Sequence, residues 1–369
     1  MKNCFRNVLF IGPHYSLRGG MASVLKVYSQ SIQPFNFLPG YFYKNPVLSL
    51  FYFFVSLIKL LWILISNRQI KIVHIHSASR GSFYRKSAIV LLSKLFRKKT
   101  ILHIHAGKFK IFLDKAGFFK GYILYILNRA DEVVCLSEEW KTYFDSVTDK
   151  KKSIVLNNPV IIPAETPVKK VSLPVTVLFL NHINKAKGIF DVLHFFNENK
   201  QWLTGSFKLV VAGAGDSEQL LQFIAANNLN DIIEYKGWVE GKEKEELIRN
   251  CDVFILTSYN EGLPVSILEA MACKKAIIST NVGGIPRIVS PNENGWLTAP
   301  GDKAALVNIF TEIKNNIPVL ENYGKRSFEI VQDYSPEKVN EKLSMIYEDL
   351  LSSQILSANR YNYEKGKHS

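Results

Sequence analysis

The sequence predicts an α/β protein of two Rossmann-like domains, with parallel sheets facing across an interdomain cleft. Two observations carry this. Short β-branched runs alternate with longer helical patterns, which implies parallel strands joined by crossover helices. The alternation is interrupted at residues 161–174, a stretch with three prolines and mixed charge, and then restarts. A length of 369 residues fits two domains.

In the first half, strands are expected at residues 7–11, 70–75, 100–105, 132–136 and 153–156. Helices are expected at 21–30, 48–66, 83–96 and 118–128. After the linker, strands are expected at 175–180, 207–212, 232–236, 253–256 and 276–279, with helices at 189–198, 217–226 and 242–250. A final helical pattern covers 336–352. The expected domains are therefore 1–165 and 175–335. A C-terminal helix at 336–355 packs back toward the first domain, and residues 356–369 form a flexible tail. In open α/β sheets ligands bind beyond the carboxyl ends of the strands, so the cleft is the expected site.

Composition is that of a globular protein, with 47% hydrophobic and 21% charged residues. The net charge of +14 is uneven. Residues 1–160 hold 24 Lys+Arg against 7 Asp+Glu, and the remainder holds 22 against 25. Such asymmetry points to an anionic partner for the first half. No RNA- or DNA-binding motif accompanies the basic residues, and the second half is acidic, so nucleic acid is not expected. Cys4, Cys135, Cys251 and Cys273 are scattered and fit no metal or redox spacing; they read as free buried thiols. The N-terminus reads as a first strand entering a loop, not as a signal peptide. Residues 47–65 are long enough to span a bilayer, but Lys59 lies well inside and spanning would detach the first strand from its domain. A buried or membrane-dipping helix is expected instead.

Residues 258–302 are the most informative. Glu261 and Glu269 are separated by seven residues, and Pro264 is a natural first helical residue. Gly262 and Leu263 precede the helix, where backbone N–H groups favour anions. Glu269 lies about 7–8 Å further along the axis, so the two carboxylates suit different hydroxyl-bearing parts of one extended ligand. Solvated helix-end charges would explain the pair alone.

The surrounding segment resembles the signature of the retaining glycosyltransferases of family four, which have the GT-B fold. It carries the E-x7-E pair inside EGLPVSILEAMA, then GGIPR, NG and PGD. The resemblance implies that Glu261 binds donor-sugar hydroxyls, that Glu269 binds the ribose, and that Gly262 and Leu263 contact the donor through their amides. Lys187 matches the lysine that binds the donor phosphates. Gly19 and Gly20, opening a helix after the first strand, resemble the loop that meets the diphosphate. His105 matches a histidine placed near the reacting sugar. His182 stands where the family has an arginine, Arg287 where it has a glutamate, and Lys274-Lys275-Ala276 where Gly-x-Pro is common. Gly213-Ala214-Gly215, Gly237-Trp238-Val239, Asn158 and Ser137 are softer matches.

The resemblance implies a nucleotide-sugar donor such as a UDP- or GDP-sugar, no other cofactor, no catalytic metal, and retention of configuration. A zinc reading of His74, His76, His103 and His105 is therefore set aside. The acceptor expected is a lipid-linked or cell-surface glycan. Arg80, Arg85, Lys86, Lys94, Arg97, Lys98 and Lys99, on or beside an apolar helix, read as a membrane-surface element. The enzyme is then cytoplasmic, peripheral on the inner face of an anionic membrane. The alternatives are a nucleotide-sugar epimerase and a sugar-nucleotide-binding protein without transferase activity.

Overall fold

The structure, a computed structural model, describes residues 3–42, 45–149, 153–164 and 171–366. The chain divides into two units, residues 1–159 with 336–369, and residues 160–335.

The first unit holds β1 (Val8–Pro13), β2 (Phe37–Tyr41), β3 (Ile72–Ser77), β4 (Lys99–Ile104), β5 (Glu132–Cys135) and β6 (Ser153–Val155). They form one sheet in the order β2-β1-β3-β4-β5-β6, parallel throughout. The connecting helices are α1 (Gly20–Ser31), α2 (Pro46–Ser66), α3 (Gly81–Leu95), α4 (Phe109–Asp114), α5 (Lys120–Arg129) and α6 (Glu138–Val147). α2 starts where sequence chemistry places a start. Pro46 occupies the first turn, and the Asn45 side chain accepts from the amides of Val47 and Leu48 at 2.9 and 3.3 Å. One face of the sheet is covered by α2 through α6, whose Leu60, Phe83, Phe109, Ile123 and Phe144 share one core cluster with Ile11, Val73 and Leu102.

The second unit holds β7 (Val175–Leu180), β8 (Phe207–Ala212), β9 (Ile233–Tyr235), β10 (Val253–Leu256), β11 (Ala276–Thr280) and β12 (Gly295–Thr298). The order is β12-β11-β10-β7-β8-β9, again parallel. Its helices are α7 (Ile189–Glu198), α8 (Lys200–Leu203), α9 (Ser217–Ala226), α10 (Gly241–Asn250), α11 (Val265–Ala272), α12 (Lys303–Asn315) and α13 (Val319–Val331). Chain order crosses from β9 back to β10 beside β7. That reversal is the switch point beyond which such sheets place their ligands.

The last helix, α14 (Pro336–Gly366), returns to the first unit. Tyr347 packs edge-on against Phe5 at 5.7 Å, and Asn340 Nδ2 donates to Ser31 Oγ at 3.0 Å. The helix passes residue 352, where the sequence pattern ended it.

Other departures have physical causes. β2 was not expected because Pro39 and Gly40 interrupt it, yet it is an edge strand, where proline is tolerated. β12, also at an edge, begins with a glycine and is similarly unmarked. Pro264 caps α11 with ψ 117° instead of opening it, so the helix starts at Val265. Of the seven basic residues on or beside α3, Lys86, Lys94 and Lys98 are engaged within the unit, while Arg80 and Arg97 are exposed. Lys86 is buried, Lys94 pairs with Asp131 at 2.7 Å, and just beyond the helix Lys98 donates to the Ile70 carbonyl at 2.7 Å. These charges are spent inside the unit.

Candidate functional site

Two loops at the carboxyl ends of neighbouring strands β7 and β10 build the centre of the site in the second unit. The β7 loop carries Asn181, His182 and a short 3-10 turn, Lys185–Lys187. Asn184 caps that turn, its side chain accepting from the Lys187 amide at 3.0 Å. The β10 loop carries Ser258, Tyr259 and Glu261. The loops are stitched together: the Tyr259 amide donates to the Ala186 carbonyl at 3.0 Å, and Thr257 Oγ1 donates to the Gly188 carbonyl at 3.0 Å.

This framework brings Lys187 Nζ to 2.6 Å from Glu261 Oε1, and Ser258 Oγ donates to the same oxygen at 2.8 Å. Ser258 is itself held from behind, where its carbonyl accepts from Thr280 Oγ1 at 2.6 Å. The pair is partly enclosed, with the lysine and glutamate side chains 24% and 10% exposed. A cation and an acceptor-only carboxylate, side by side at a sheet's carboxyl end, suit a ligand offering both phosphate and hydroxyl groups.

Gly262 and Leu263 are buried immediately before α11. Gly283 and Gly284 clamp this segment. The Gly284 amide donates to the Gly262 carbonyl at 2.6 Å, and a Cβ on Gly283 would stand 2.0 Å from the Glu261 carbonyl oxygen. Gly283 also has φ +56°, which favours glycine. The GGIP run thus shapes the backbone around Glu261. Arg287, where the family has a glutamate, is exposed.

Glu269, on α11, is not part of the Lys187 cluster. It pairs with Lys244 of α10 at 2.6 Å. His182 is exposed, and its ring lies against Gly215, where a Cβ would meet His182 Nδ1 at 2.4 Å. The Gly213-Ala214-Gly215 turn after β8 therefore seats the β7 loop through close backbone approach. Sequence reasoning missed Ser258, Lys244 and Asn184. Asn184 and Ser258 had local signals, each three residues before its partner, and Lys244 had none.

The remaining expected residues lie in the first unit. Gly19 has φ 132° and caps α1, and Gly20 is its first residue; both are exposed, and α1 has no side-chain cap. Uncapped amides at a helix start suit an anion. His105 follows β4, its amide bonded to the Ser77 carbonyl at 2.9 Å. It belongs to a cluster of four imidazoles, His74 and His76 beside His103 and His105, with ring centroids 4.1 Å apart for His103 and His105 and 4.6 Å for His74 and His76.

Burial drives these rings neutral. His74 is pushed down to about 3, and His76 and His103 go well below the usual histidine value, in each case by desolvation first. His105, half-buried, is lowered by the same cause, with Asn158 opposing. A neutral imidazole has one N–H. The buried Tyr347 hydroxyl bonds His74 Nδ1 at 2.6 Å, and donation in that direction satisfies it. His74 then carries its proton on Nε2 and donates to His103 Nδ1 at 3.2 Å. His76 Nδ1 and His105 Nε2 form the next pair at 2.9 Å, which fixes the plane of the His105 ring.

His74, His76 and His103 each have one ring nitrogen within 4.8 Å of the others. The group includes no carboxylate or thiolate. The near-parallel rings of His74 and His76, 8° apart, aim their nitrogens side by side and not at one point. Hydrogen bonds join His74 to His103 and His76 to His105, while His76 Nε2 and His103 Nε2 have no hydrogen-bond partner among the described residues.

Residues 166–329 match the family described as glycosyl transferases group 1. A glycosyltransferase of Methanocaldococcus jannaschii, described as uncharacterized, is 24% identical over 74% of this chain and 75% of its own length. The amylovoran biosynthesis glycosyltransferase AmsK of Erwinia amylovora is 31% identical over 38% of this chain; the match spans 36% of that relative. Among solved structures, Anabaena HepE in complex with UDP and glucose superposes with a TM-score of 0.75 at 16% identity, covering 93% of this chain and 99% of that one. The second unit is thus similar to the glycosyl transferases group 1 family, and the chain has the fold of the GT-B glycosyltransferases.

Proposed function

We propose that the chain is a retaining, metal-independent hexosyltransferase. It moves a sugar from a nucleotide sugar, such as a UDP- or GDP-sugar, to a glycan or lipid-linked acceptor at the cytoplasmic face of an anionic membrane. The observation that carries this reading is the Lys187–Glu261 contact at 2.6 Å, set on two stitched loops at the sheet's carboxyl end. HepE, whose solved complex contains UDP and glucose, and AmsK, named for amylovoran biosynthesis, support the donor class and the polysaccharide context.

In this reading donor phosphate draws Lys187 away from Glu261, and the freed carboxylate accepts from sugar hydroxyls. Glu269 accepts from the ribose. Gly262 and Leu263 offer amides, and His182 adds a donor to the diphosphate; the family resemblance assigns the Gly19 and Gly20 amides to the diphosphate and His105 to the sugar. The bond that breaks joins the anomeric carbon to phosphate, and its electron pair leaves with the nucleoside diphosphate. The new bond joins that carbon to an acceptor hydroxyl oxygen, whose proton passes to the departing phosphate. The main requirement is stabilising the leaving diphosphate, which is the role given to Lys187.

The His182 substitution favours a second reading, a sugar-nucleotide-binding protein without transfer. Thermal stability against UDP, GDP, ADP and CMP tests the site, alongside Lys187→Ala. A ligand at 100 times its Kd adds about 2.7 kcal/mol to the folded state. One nucleotide raising the Tm, with the effect lost in the variant, is expected. No shift from any of the four refutes the donor site, and binding without turnover of any acceptor selects the second reading.

A further inference from the structure

α2 breaks a general rule about helices. Its only charged residue is Lys59, so it is apolar all round, and such helices are normally enclosed. Here one row is enclosed and the other is not. Phe53, Leu60 and Leu64 are buried in the core of the first unit, and Ser56 Oγ donates to the Pro39 carbonyl at 2.7 Å. On the outer side Phe51, Phe54, Ile58, Trp62 and Ile65 are 55–69% exposed, at spacings that place them along one face. The same helical layer exposes Phe118 and Phe119, beside Lys115 and Lys120. An apolar surface of this extent marks an interface.

Charge selects the occupant. The first 113 residues contain 17 Lys+Arg and neither Asp nor Glu. A second copy would bring two such cationic surfaces together with no carboxylate from this segment between them. An anionic lipid monolayer matches both features, because it offers hydrocarbon to the outer row and phosphate to the exposed Lys59, Arg68 and Lys71. Residues Val47–Ser66 are long and apolar enough to cross a membrane. Crossing, however, would pull Phe53, Leu60 and Leu64 out of the core they share with the sheet.

We propose that α2 lies in the plane of an anionic membrane, its outer row immersed at the boundary between headgroups and acyl chains while its inner row stays in the domain core. This deepens the membrane part of the proposed function and rests on it.

The test uses the full chain, flotation, and vesicles of phosphatidylcholine with or without phosphatidylglycerol. Trp62 is a built-in probe, 69% exposed on the outer row. Wild type is expected to float with the anionic vesicles and to show a blue-shifted tryptophan emission. Trp62→Phe should still float and lose that shift. Phe54→Asp with Ile58→Asp should lower vesicle affinity about tenfold or more without altering Tm or the nucleotide response. If wild type floats on neither vesicle, the membrane reading falls and the inference with it. If wild type floats but the double variant floats equally, the membrane reading stands and this surface is wrong. Equal flotation on phosphatidylcholine alone overturns the anionic partner. A dimer that the double variant converts to monomer, with no lipid binding, assigns the face to a second copy instead.

Discussion

Lys86 is the clearest case in which a single side chain should lower stability, and its replacement gives a sharp test of the first unit's core. The residue lies on α3, only 3% exposed, and its Nζ has no hydrogen-bond partner among the described residues. The amine sits so close to Gly40 that a Cβ there would stand 2.4 Å from it. Burial first, and the Arg85 charge second, push its pKa from 10.5 down to about 7. The nearby imidazole of His76 offers no compensating negative charge.

A base whose folded pKa is depressed binds fewer protons folded than unfolded between the two values. Stability therefore rises with pH from about 7 to about 10. Linkage across that gap puts the cost of keeping Lys86 at about 4 kcal/mol at pH 7 and below about 1 kcal/mol at pH 10. Lys86→Met keeps the length and removes the titration. It should stabilise the protein by a few kcal/mol at pH 7, and the gain should shrink steadily as pH rises. Urea unfolding of wild type and variant at four pH values between 7 and 10 measures this. A difference that does not change with pH, or a variant less stable than wild type throughout, would refute the reasoning. Either result would mean that Lys86 is charged and paired in the fold.

Three further outcomes are expected. Gly283→Ala should destabilise by about 2–4 kcal/mol and abolish nucleotide-induced stabilisation, because its Cβ collides with the Glu261 carbonyl; calorimetry with and without nucleotide reads both. Asp131→Asn should lower stability by about 1–3 kcal/mol at neutral pH. Burial alone would raise this carboxyl, but hydrogen bonds from Lys94 and the Thr100 amide, with the Lys94 and Lys99 charges, hold it below the usual range. Its contribution is therefore present above the ordinary aspartate value and lost as pH falls through the lowered one, so the two unfolding curves should converge in acid. His182→Arg should tighten nucleoside diphosphate binding about fivefold or more by restoring a permanently charged, forked donor; titration calorimetry showing equal or weaker binding would remove His182 from the diphosphate site.

How much of this was legible in the sequence depended on whether the signal was local. Strands β7, β8 and β10 fell where their apolar runs placed them, because strands covered on both faces read as continuous β-branched segments. The edge strands β2 and β12 were illegible, since Pro39, Gly40 and Gly295 read as turns and only pairing with a neighbour makes them strands. Lys187 and Glu261 were marked by motif spacing and do meet. Ser258 and Lys244 were not marked. Ser258 stands only three residues before Glu261 but outside the motif, whereas Lys244 becomes relevant only when folding brings its helix to Glu269, and no spacing rule encodes a partner 25 residues away across two helices.

The same distinction explains the first unit. Net charge is additive along a chain, so the basic bias was plain from composition, but the use of each charge is set by packing. The lysines of α3 and its C-terminal flank looked like a membrane face. Three of them are instead consumed by the core, by Asp131 and by the Ile70 carbonyl. The large exposed apolar surface lies one helix earlier, on α2, where a uniformly apolar sequence hid which row the domain had claimed. Periodicity reveals a face only when the two faces differ in composition. Where both are apolar, the burial of Leu60 beside an exposed Trp62 is the information the fold adds.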